Sequence, residues 1–431
     1  MRGGKARNRL VAEFVSVPTL LDIPAAAAAV LLAPDARRTP VAELLDRLIR
    51  ALREQDGIPI DRASFSLPML HPEVRSTQFI WEPVGGARSI QRTFATANAV
   101  GYLRSPMFPL YAGTAEVIRH RIYATDTQRP YEILDELAAE GFTDYLATVA
   151  GAEKTWERAP TSWATRAPGG FTDAQVRSLL ALMPLLGLVL TTFAQRASTR
   201  ALLGTYLGED AASRVLDGHI RRGAVVDVEA AVCFCDLRNF TELSQQLDQA
   251  SLIELLDDAF GVVVGAVEAE GGDVLKFIGD AVLAVFRVEG DEAARVDAVT
   301  RAFHAACAAL ERAAALHQQR MAAGKAPLVI GLSLHLGHVA YGNIGSATRL
   351  DFTVIGAAVN LASRLEGLCR TLGYPIVMSE PVASRLGHVG GLVDVGSHRL
   401  KGIPEPVHVW GVMSGPDGAA PDGAAALTAP P

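Results

Sequence analysis

The stretch that decides the fold of this chain is VEAAVCFCDLRNFTELSQQL, residues 228–247. It opens with an apolar run of strand length that ends at Asp236, and a helical pattern begins near Thr241. A carboxylate at a strand end can hold Mg²⁺ by hard oxygen ligation, and the free N–H groups of a following helix start can hold phosphate oxygens. The pattern therefore indicates a metal–phosphate site, although Asp236 taken alone fits a turn residue or helix cap equally well.

A strand–turn–strand pattern follows in GGDVLKFIGDAVLAVF, residues 271–286. Two strand-like runs flank Gly279 and Asp280, which are residue types typical of a hairpin turn. If both runs pair beside the first strand, Asp280 at the loop tip can converge with Asp236. Two carboxylates that bridge two Mg²⁺ ions about 4 Å apart suit an in-line displacement at phosphorus.

A third pattern, RLDFTVIGAAVNLASRLEGL at residues 349–368, predicts a short strand that ends at Gly356 and then a helix. Asn360 and Arg364 lie four residues apart, so they share one face of that helix. A neutral donor and a guanidinium that project together suit a ribose or a charged phosphoryl transition state. Spacing alone gives more weight to an alternative in which Asn360 is solvated and Arg364 pairs with Glu366 or another acid.

Length and composition limit the number of domains and the classes of partner and compartment that we expect. The chain has 431 residues, which suggests two or three domains, and its 49% of hydrophobic residues is ample for packed cores. A net charge of −7 without a long basic run argues against nucleic acid as a partner. The four cysteines form no CxxC pair, so we expect buried thiols in a reducing compartment. The apolar run at residues 178–194 has no second span beside it, so we predict a buried or dimer-forming helix, no membrane span and a cytoplasmic protein.

The pattern divides the chain into segments. We predict a weakly patterned segment at 1–38, a regulatory domain at 39–195, a helical linker at 196–222, a catalytic domain at 223–413 and a disordered tail at 414–431. The linker is expected to break between Gly204 and Gly208.

The regulatory segment combines helical and strand patterns. An amphipathic helix at 41–53 precedes five strand-like runs, and Thr172 and Gln175 form a capping box where a strongly apolar helix begins. This order, with the PGGF turn at 168–171, resembles a GAF-type sensory domain. The resemblance implies an α+β fold that binds a small molecule or mediates dimerisation, and no residue here identifies the ligand.

The chemistry-bearing stretches resemble the catalytic domain of class III adenylyl and guanylyl cyclases. The matching runs lie in the family's order over about 190 residues: FCDLRNFT (234–241), KFIGDAVLAVF (276–286), HLGHVAYGNIGS (335–346), FTVIGAAVNLASRLE (352–366) and RLKGIPEPVHVW (399–410). The resemblance implies a ferredoxin-like α/β domain that forms a head-to-tail homodimer with sites at the interface. It also implies two Mg²⁺ or Mn²⁺ ions in each site.

The resemblance further implies a role for each residue that matches the family's motifs. One chain would contribute the metal ligands, Asp236 and Asp280. On the other chain, Lys276 and Thr353 would contact the purine. Asn360 would contact the ribose, and Arg364 would stabilise the transition state. The triphosphate would be contacted by the backbone of Leu237, Arg238, Asn239, Phe240 and Thr241, and a phosphate by Lys401.

The pair of Lys276 and Thr353 favours ATP over GTP. Adenine offers N1 as an acceptor and its 6-amino group as a donor, whereas lysine has only donors and a threonine hydroxyl can accept. Guanine has a donor at N1 and an acceptor at O6, so both contacts are mismatched. Each mismatch typically costs about 1–3 kcal/mol. We therefore predict an adenylate cyclase, a lyase that forms 3′,5′-cyclic AMP and pyrophosphate under control of the N-terminal domain. A guanylate cyclase and an inactive nucleotide-binding module are the alternatives.

Overall fold

The computed structural model describes residues 18–94, 100–123, 129–151, 158–387 and 389–412. The chain divides into two compact units, with the division between Leu202 and Leu203. The tail predicted at 414–431 and the first 17 residues lie outside the described residues.

The first unit is an antiparallel sheet with helices on both faces. Its strands are β1 (Arg62–Pro68), β2 (Val74–Glu82), β3 (Gly86–Thr93), β4 (Val117–Arg121), β5 (Asp144–Ala150) and β6 (Ala159–Thr165). Its helices are α1 (Ala25–Leu32), α2 (Val41–Glu54), α3 (Val100–Leu103), α4 (Met107–Tyr111), α5 (Glu132–Ala139) and α6 (Asp173–Leu207), after a 3₁₀ turn at Leu20–Asp22. The strand order is β3-β2-β1-β6-β5-β4.

Alternating strand residues place apolar side chains on both faces of this sheet. Phe65 and Trp163 pack with α2 and α6 on one face, and Tyr145 packs with α4 and α5 on the other. The predicted amphipathic helix and the five strand-like runs are confirmed. The capping box is confirmed too, because the Thr172 N–H donates to Gln175 Oε1 (2.9 Å) and the Gln175 N–H donates to Thr172 Oγ1 (3.2 Å).

Strand β3 and the helices α1, α3, α4 and α5 of the first unit were not expected from the sequence. Strand β3 is an edge strand in which no residue is buried, so its sequence shows no apolar alternation. Helix α1 lies in the segment that looked weakly patterned, yet Ala27 and Leu31 are buried in the core. Its run of alanines has no polar face, and a helical period is therefore invisible in it.

Helix α6 is continuous for 35 residues, from Asp173 to Leu207. It passes through the predicted domain boundary at residue 195, and it ends at Gly208, whose φ of +85° suits glycine. The helix α7 (Glu209–Leu216) follows. Among the described helices α6 alone has the length and composition to cross a bilayer, and 44% of its most apolar window is buried. Leu179, Leu182 and Leu186 lie in the core of the first unit, as expected of a buried helix.

The second unit contains one mixed sheet. Its strands are β7 (Val225–Leu237), β8 (Asp273–Ile278), β9 (Ala281–Arg287), β10 (Ile330–Gly345), β11 (Leu350–Ile355), β12 (Ile376–Ser379), β13 (Leu392–His398) and β14 (Val407–Val412). After α7, its helices are α8 (Phe240–Gln246), α9 (Gln249–Ala269), α10 (Glu292–Ala322), α11 (Ala357–Leu372) and α12 (Glu380–Ala383), with a 3₁₀ turn at Ser384–Leu386.

The strand order is β13-β14-β12-β10-β7-β9-β8, and β11 pairs with β10. Strands β7, β8, β9 and β10, with α9 and α10 between them, form a β–α–β–β–α–β unit. Its antiparallel strands lie in the order fourth, first, third, second. This is a ferredoxin-like arrangement.

Strand β7 is buried on both faces, which is why it reads as an apolar run. Cys233 and Cys235 share one face and pack with α9 and α10, while Val232 and Phe234 face the cluster that includes α11. All four cysteines are buried free thiols, as predicted, and burial raises the pKa of Cys233 to about 12.

An ionic cluster fixes α7 to this sheet. The Asp210 carboxylate accepts hydrogen bonds from Tyr341 Oη (2.5 Å), Arg287 Nη2 (2.9 Å) and Arg214 Nε (2.8 Å). Burial opposes the charge on Asp210, but the hydrogen bonds from Tyr341 and Arg214 hold its pKa below the ordinary value. The segment that enters the second unit is therefore tied to β9 and β10.

Candidate active site

Two carboxyl groups meet at one end of the central strands. Asp236 is the penultimate residue of β7, opposite Gly331 of β10, and Asp280 occupies the turn between β8 and β9. Because β9 pairs with β7, the turn brings Asp280 to within hydrogen-bonding distance of Asp236. Burial, and then the neighbouring Asp236, raise the pKa of Asp280 to about 7. The convergence expected from the sequence is present.

A third acid, Glu366 of α11, lies beside this pair. Burial raises its pKa to about 7, and the charge of Asp236 adds to the effect. The sequence offered Glu366 as a partner for Arg364, but the structure pairs it with Arg238, whose Nη1 lies 3.8 Å from Glu366 Oε1. The side chains of Arg238 and Glu366 are only 17% and 9% exposed. From the sequence we expected only a backbone role for Arg238, and this contact was missed.

The loop after Asp236 turns sharply into α8. The turn is made at Asn239, whose φ of 59° is the only positive value at a non-glycine residue among the described residues. Helix α8 begins at Phe240, close to the start predicted near Thr241. The backbone N–H of Arg238 donates to the carbonyl of Val329 (2.8 Å), which anchors the loop beside β10. Contact of residues 237–241 with a triphosphate stays a prediction.

Lys276 and Thr353 lie on two different strands, β8 and β11. Lys276 forms an ion pair with Asp351 of β11. Thr353 lies two residues further along β11, so its side chain is on the same face as that of Asp351. Thr353 is 5% exposed. The structure therefore places an acid beside the predicted purine-reading pair, and nothing in the sequence had singled it out.

Asn360 and Arg364 are exposed on one face of α11. Neither side chain forms a hydrogen bond or ion pair within the described part of the chain. The alternative in which Arg364 pairs with Glu366 is wrong, since Glu366 faces Arg238. Both groups are thus available to a ligand or to a second chain.

Lys401 lies in the exposed turn between β13 and β14. Its neighbours Leu400 and Ile403 pack in one cluster with Leu365 of α11, the helix that carries Arg364. Contact of Lys401 with a phosphate stays a prediction. His335 and His338 lie on β10, as predicted for structural residues; their Nδ1 atoms contact Ser379 Oγ (2.7 Å) and Asp227 Oδ2 (2.8 Å).

The carboxyl pair suits a hard divalent cation. Asp236 and Asp280 present oxygen donors, and within the described ranges no lysine or arginine forms an ion pair with either. Burial and the repulsion from Asp236 raise the pKa of Asp280, and a bound cation would offset both. The described residues contain no cluster of three His, Cys, Asp or Glu side chains arranged round a metal. Most coordination positions would therefore fall to substrate oxygens and water, as is usual for Mg²⁺.

Comparison with known proteins covers the same region of the chain. The family model described as "Adenylate and Guanylate cyclase catalytic domain" matches residues 227–412. An adenylate cyclase of Anabaena cylindrica is 32% identical over 204 residues, which are 46% of this chain and 39% of that protein. Adenylate cyclase 1 of Rhizobium meliloti is 26% identical over 196 residues, 46% of this chain and 29% of that protein. The chain thus spans well under half of the length of these relatives.

Among solved structures, the adenylyl cyclase CyaB from P. aeruginosa is 31% identical, with 44% of this chain and 96% of that chain covered and a TM-score of 0.40. The family model covers the strands and helices that carry Asp236, Asp280, Asn360 and Arg364. Residues 227–412 are therefore identified as a class III adenylate/guanylate cyclase catalytic domain.

Proposed function

We propose that this chain is an adenylate cyclase that converts ATP to 3′,5′-cyclic AMP and pyrophosphate at sites shared between two copies. The observation that carries the proposal is the carboxyl pair of Asp236 and Asp280, which meets at a strand end within a cyclase catalytic domain. The adenylate cyclases among the relatives support ATP as the substrate.

The chain supplies each group that the reaction needs. The ribose 3′-oxygen attacks the α-phosphorus, the bond from that phosphorus to the pyrophosphate oxygen breaks, and the 3′-hydroxyl proton passes to solvent. Two Mg²⁺ or Mn²⁺ ions held by Asp236 and Asp280 would lower the pKa of the 3′-hydroxyl and neutralise phosphate charge. Asn360 orients the ribose, and the Arg364 guanidinium offsets the charge that builds up on the pentavalent phosphorus.

Base selection rests on Lys276 and Thr353. The Lys276 ammonium donates to adenine N1, and the Thr353 hydroxyl accepts from the 6-amino group. Guanine places an N–H against the lysine and leaves a polar group unpaired. This polarity favours ATP, and a guanylate cyclase is the less well supported alternative.

The exposure of the substrate groups favours a homodimer. Asn360 and Arg364 are exposed and without partners in the described part of one chain. Large apolar side chains are exposed beside Lys276 on the β8–β9 hairpin and at the two ends of β11: Phe277 (51%), Ile278 (46%), Leu350 (40%) and Ile355 (51%). Exposed apolar groups clustered around a functional residue are typical of an interface. A head-to-tail dimer would cover them and complete two equivalent sites.

The first test is product formation by the purified full chain. We expect 3′,5′-cyclic AMP from ATP with Mg²⁺ or Mn²⁺, and a much lower rate with GTP. No cyclic product from either nucleotide would refute an active cyclase, and a preference for GTP would refute the role given to Lys276 and Thr353.

Complementation tests the shared site. Asp236→Ala and Arg364→Ala chains should each be inactive alone, and mixed dimers should recover activity because one site has an intact Asp236 from one chain and an intact Arg364 from the other. The matched control mixes Asp236→Ala with Asp280→Ala. Both changes fall in the same half-site, so every site remains defective. Recovery in the control, or none in the first mixture with dimers confirmed, contradicts the arrangement.

The first unit is proposed to be a GAF-like regulatory domain, with α6 and α7 as the route to the catalytic unit. Its six-stranded antiparallel sheet with helices on both faces supports this assignment. Cyclic AMP synthesis by the full chain should be compared with that of residues 203–431, the second compact unit. This fragment keeps Asp210 and its contacts with β9 and β10, whereas a start near residue 222 removes them. Equal rates would argue against a regulatory role.

A further inference from the structure

We propose that Asp351 is a positioning residue that sets the purine selectivity of the site by holding Lys276 in place. The inference rests on the proposed function, since Lys276 is there the group that donates to adenine N1. Neither the family match nor the motif pattern assigned a role to Asp351.

The contact joins two strands that are not sheet neighbours. Lys276 is on β8, at one edge of the sheet, and Asp351 is on β11, which pairs only with β10 among the described strands. Lys276 Nζ donates to Asp351 Oδ2 across 75 positions of sequence. This is the one hydrogen bond of the ammonium group within the described residues, so two of its three N–H groups stay free for a ligand.

The backbone geometry of β8 and β11 explains why Lys276 and Asp351 meet. The β8–β9 register shifts between Val274 and Lys276, and such a bulge re-aims the side chain that follows it. On β11, Asp351 and Thr353 are opposite Ile344 and Gly342 and share one face. The Lys276 ammonium thus contacts the face of β11 on which Thr353 also lies.

The ion pair is poorly explained by stability. The side chains of Lys276 and Asp351 are 31% and 57% exposed, and ion pairs this exposed add little to folding free energy. Positioning explains the pair better, because a lysine has four rotatable bonds and a hydrated ammonium that has no fixed direction by itself. A carboxylate that accepts a hydrogen bond from one N–H of the ammonium group restricts the directions of the other two. It thereby keeps one donor facing the base.

The fixed donor is what separates the two purines. Adenine N1 accepts from it, whereas guanine N1–H is opposed by it. If Asp351 is removed, Lys276 can swing away, which weakens ATP binding and relieves the conflict with GTP. The effect should therefore appear in KM for ATP and in the ratio of kcat/KM for ATP to kcat/KM for GTP. It should not appear in kcat, because the base is remote from the reacting phosphorus.

The test is a double-mutant cycle in the full chain with Lys276→Ala, Asp351→Asn and both changes together. For Asp351→Asn we expect KM for ATP to rise about 3–10-fold, kcat to stay within twofold, and kcat/KM for GTP to be unchanged or higher. In the Lys276→Ala background the same change should have no effect. Asp351→Glu, which keeps a carboxylate, should recover part of the loss. The matched control is Asp297→Asn, an exposed acid paired with Arg301 on α10, which should change nothing.

Three results would overturn the proposal: an unchanged KM for ATP, an equal loss with ATP and GTP, or an Asp351→Asn effect that persists in full without Lys276. Failure of the proposed function looks different, because the unaltered chain would then form no cyclic product. Even so, dissociation constants of the non-reactive α,β-methylene analogues of ATP and GTP, measured for the same variants, decide the role of Asp351 without turnover. A loss of ATP-over-GTP preference in Asp351→Asn supports it, and an unchanged preference refutes it.

Discussion

Replacement of Asp280 by asparagine should stabilise the metal-free protein while it destroys the site. Burial and the adjacent Asp236 raise the pKa of Asp280 from 3.8 to about 7, so the native state penalises its ionised form. In the unfolded chain the carboxyl ionises near its ordinary pKa of about 3.9. The penalty is therefore absent below about pH 4, grows as the pH rises, and is complete above pH 7. Asparagine has the shape of the protonated acid and never carries the charge.

The pKa shift gives the magnitude. About three pKa units at 1.36 kcal/mol each set an upper bound of about 4 kcal/mol. Asp280 is only partly buried, so solvent screening reduces this to about 1–2 kcal/mol. For a unit of this size that corresponds to a rise in Tm of roughly 2–8 °C. The assay is thermal unfolding of the full chain in EDTA at pH 7.5 and pH 5, repeated with Mg²⁺ or Mn²⁺.

The Tm advantage of Asp280→Asn should shrink at pH 5, where the unaltered Asp280 is protonated in the native state. Added metal should raise the Tm of the unaltered chain more than that of the variant. Asp257→Asn, at an exposed position on α9, is the control and should shift Tm little under any condition. A Tm for Asp280→Asn at or below that of the unaltered chain in EDTA at pH 7.5 would refute the reasoning, as would a gap that does not depend on pH.

Three further outcomes follow from the same geometry. Mg²⁺ affinity, measured by calorimetry, should fall about tenfold per pH unit below pH 7, because a proton on Asp280 competes with the cation; equal affinities at pH 6 and 7 would contradict this. Gly331→Ala places a Cβ 2.5 Å from Arg238 Nη2, so we expect a large loss of cyclase activity with a small change in Tm, and normal activity would show that the placement of Arg238 is unimportant. Tyr341→Phe removes a donor from Asp210 and should cost about 1–3 kcal/mol in urea unfolding, with no change if α7 is held mainly by other contacts.

The local elements of the catalytic unit could be read from the sequence. The run that ends at Asp236, the hairpin at Asp280 and the strand–helix step at Gly356 all have the expected bounds to within a few residues. Such features depend on side-chain periodicity and turn residues over short distances, which a single sequence displays. The convergence of the two aspartates was expected only if the hairpin pairs beside the first strand, and the pairing of β9 with β7 meets that condition.

Less was predictable in the first unit. Strand β3 and helix α1 lack the alternation of apolar and polar residues that marks a strand or a helix. Strand β3 forms because it pairs at the sheet edge, and α1 forms because Ala27 packs into the core. Tertiary context outweighs local propensity in such segments. The apolar helix predicted after Thr172 is present, but its continuation to Leu207 is a property of the folded chain.

The sequence by itself predicted a nucleotidyl cyclase, through motifs that resemble those of the class III cyclases and that place the acids, the amide and the guanidinium near strand and helix ends. Only the tertiary structure decided which charges meet: Arg238 with Glu366, and Lys276 with Asp351. Those pairs join residues far apart in the chain, and each charged side chain had several partners of suitable sign. Sheet register and the bulge in β8 selected among them, and neither can be deduced from spacing along a sequence.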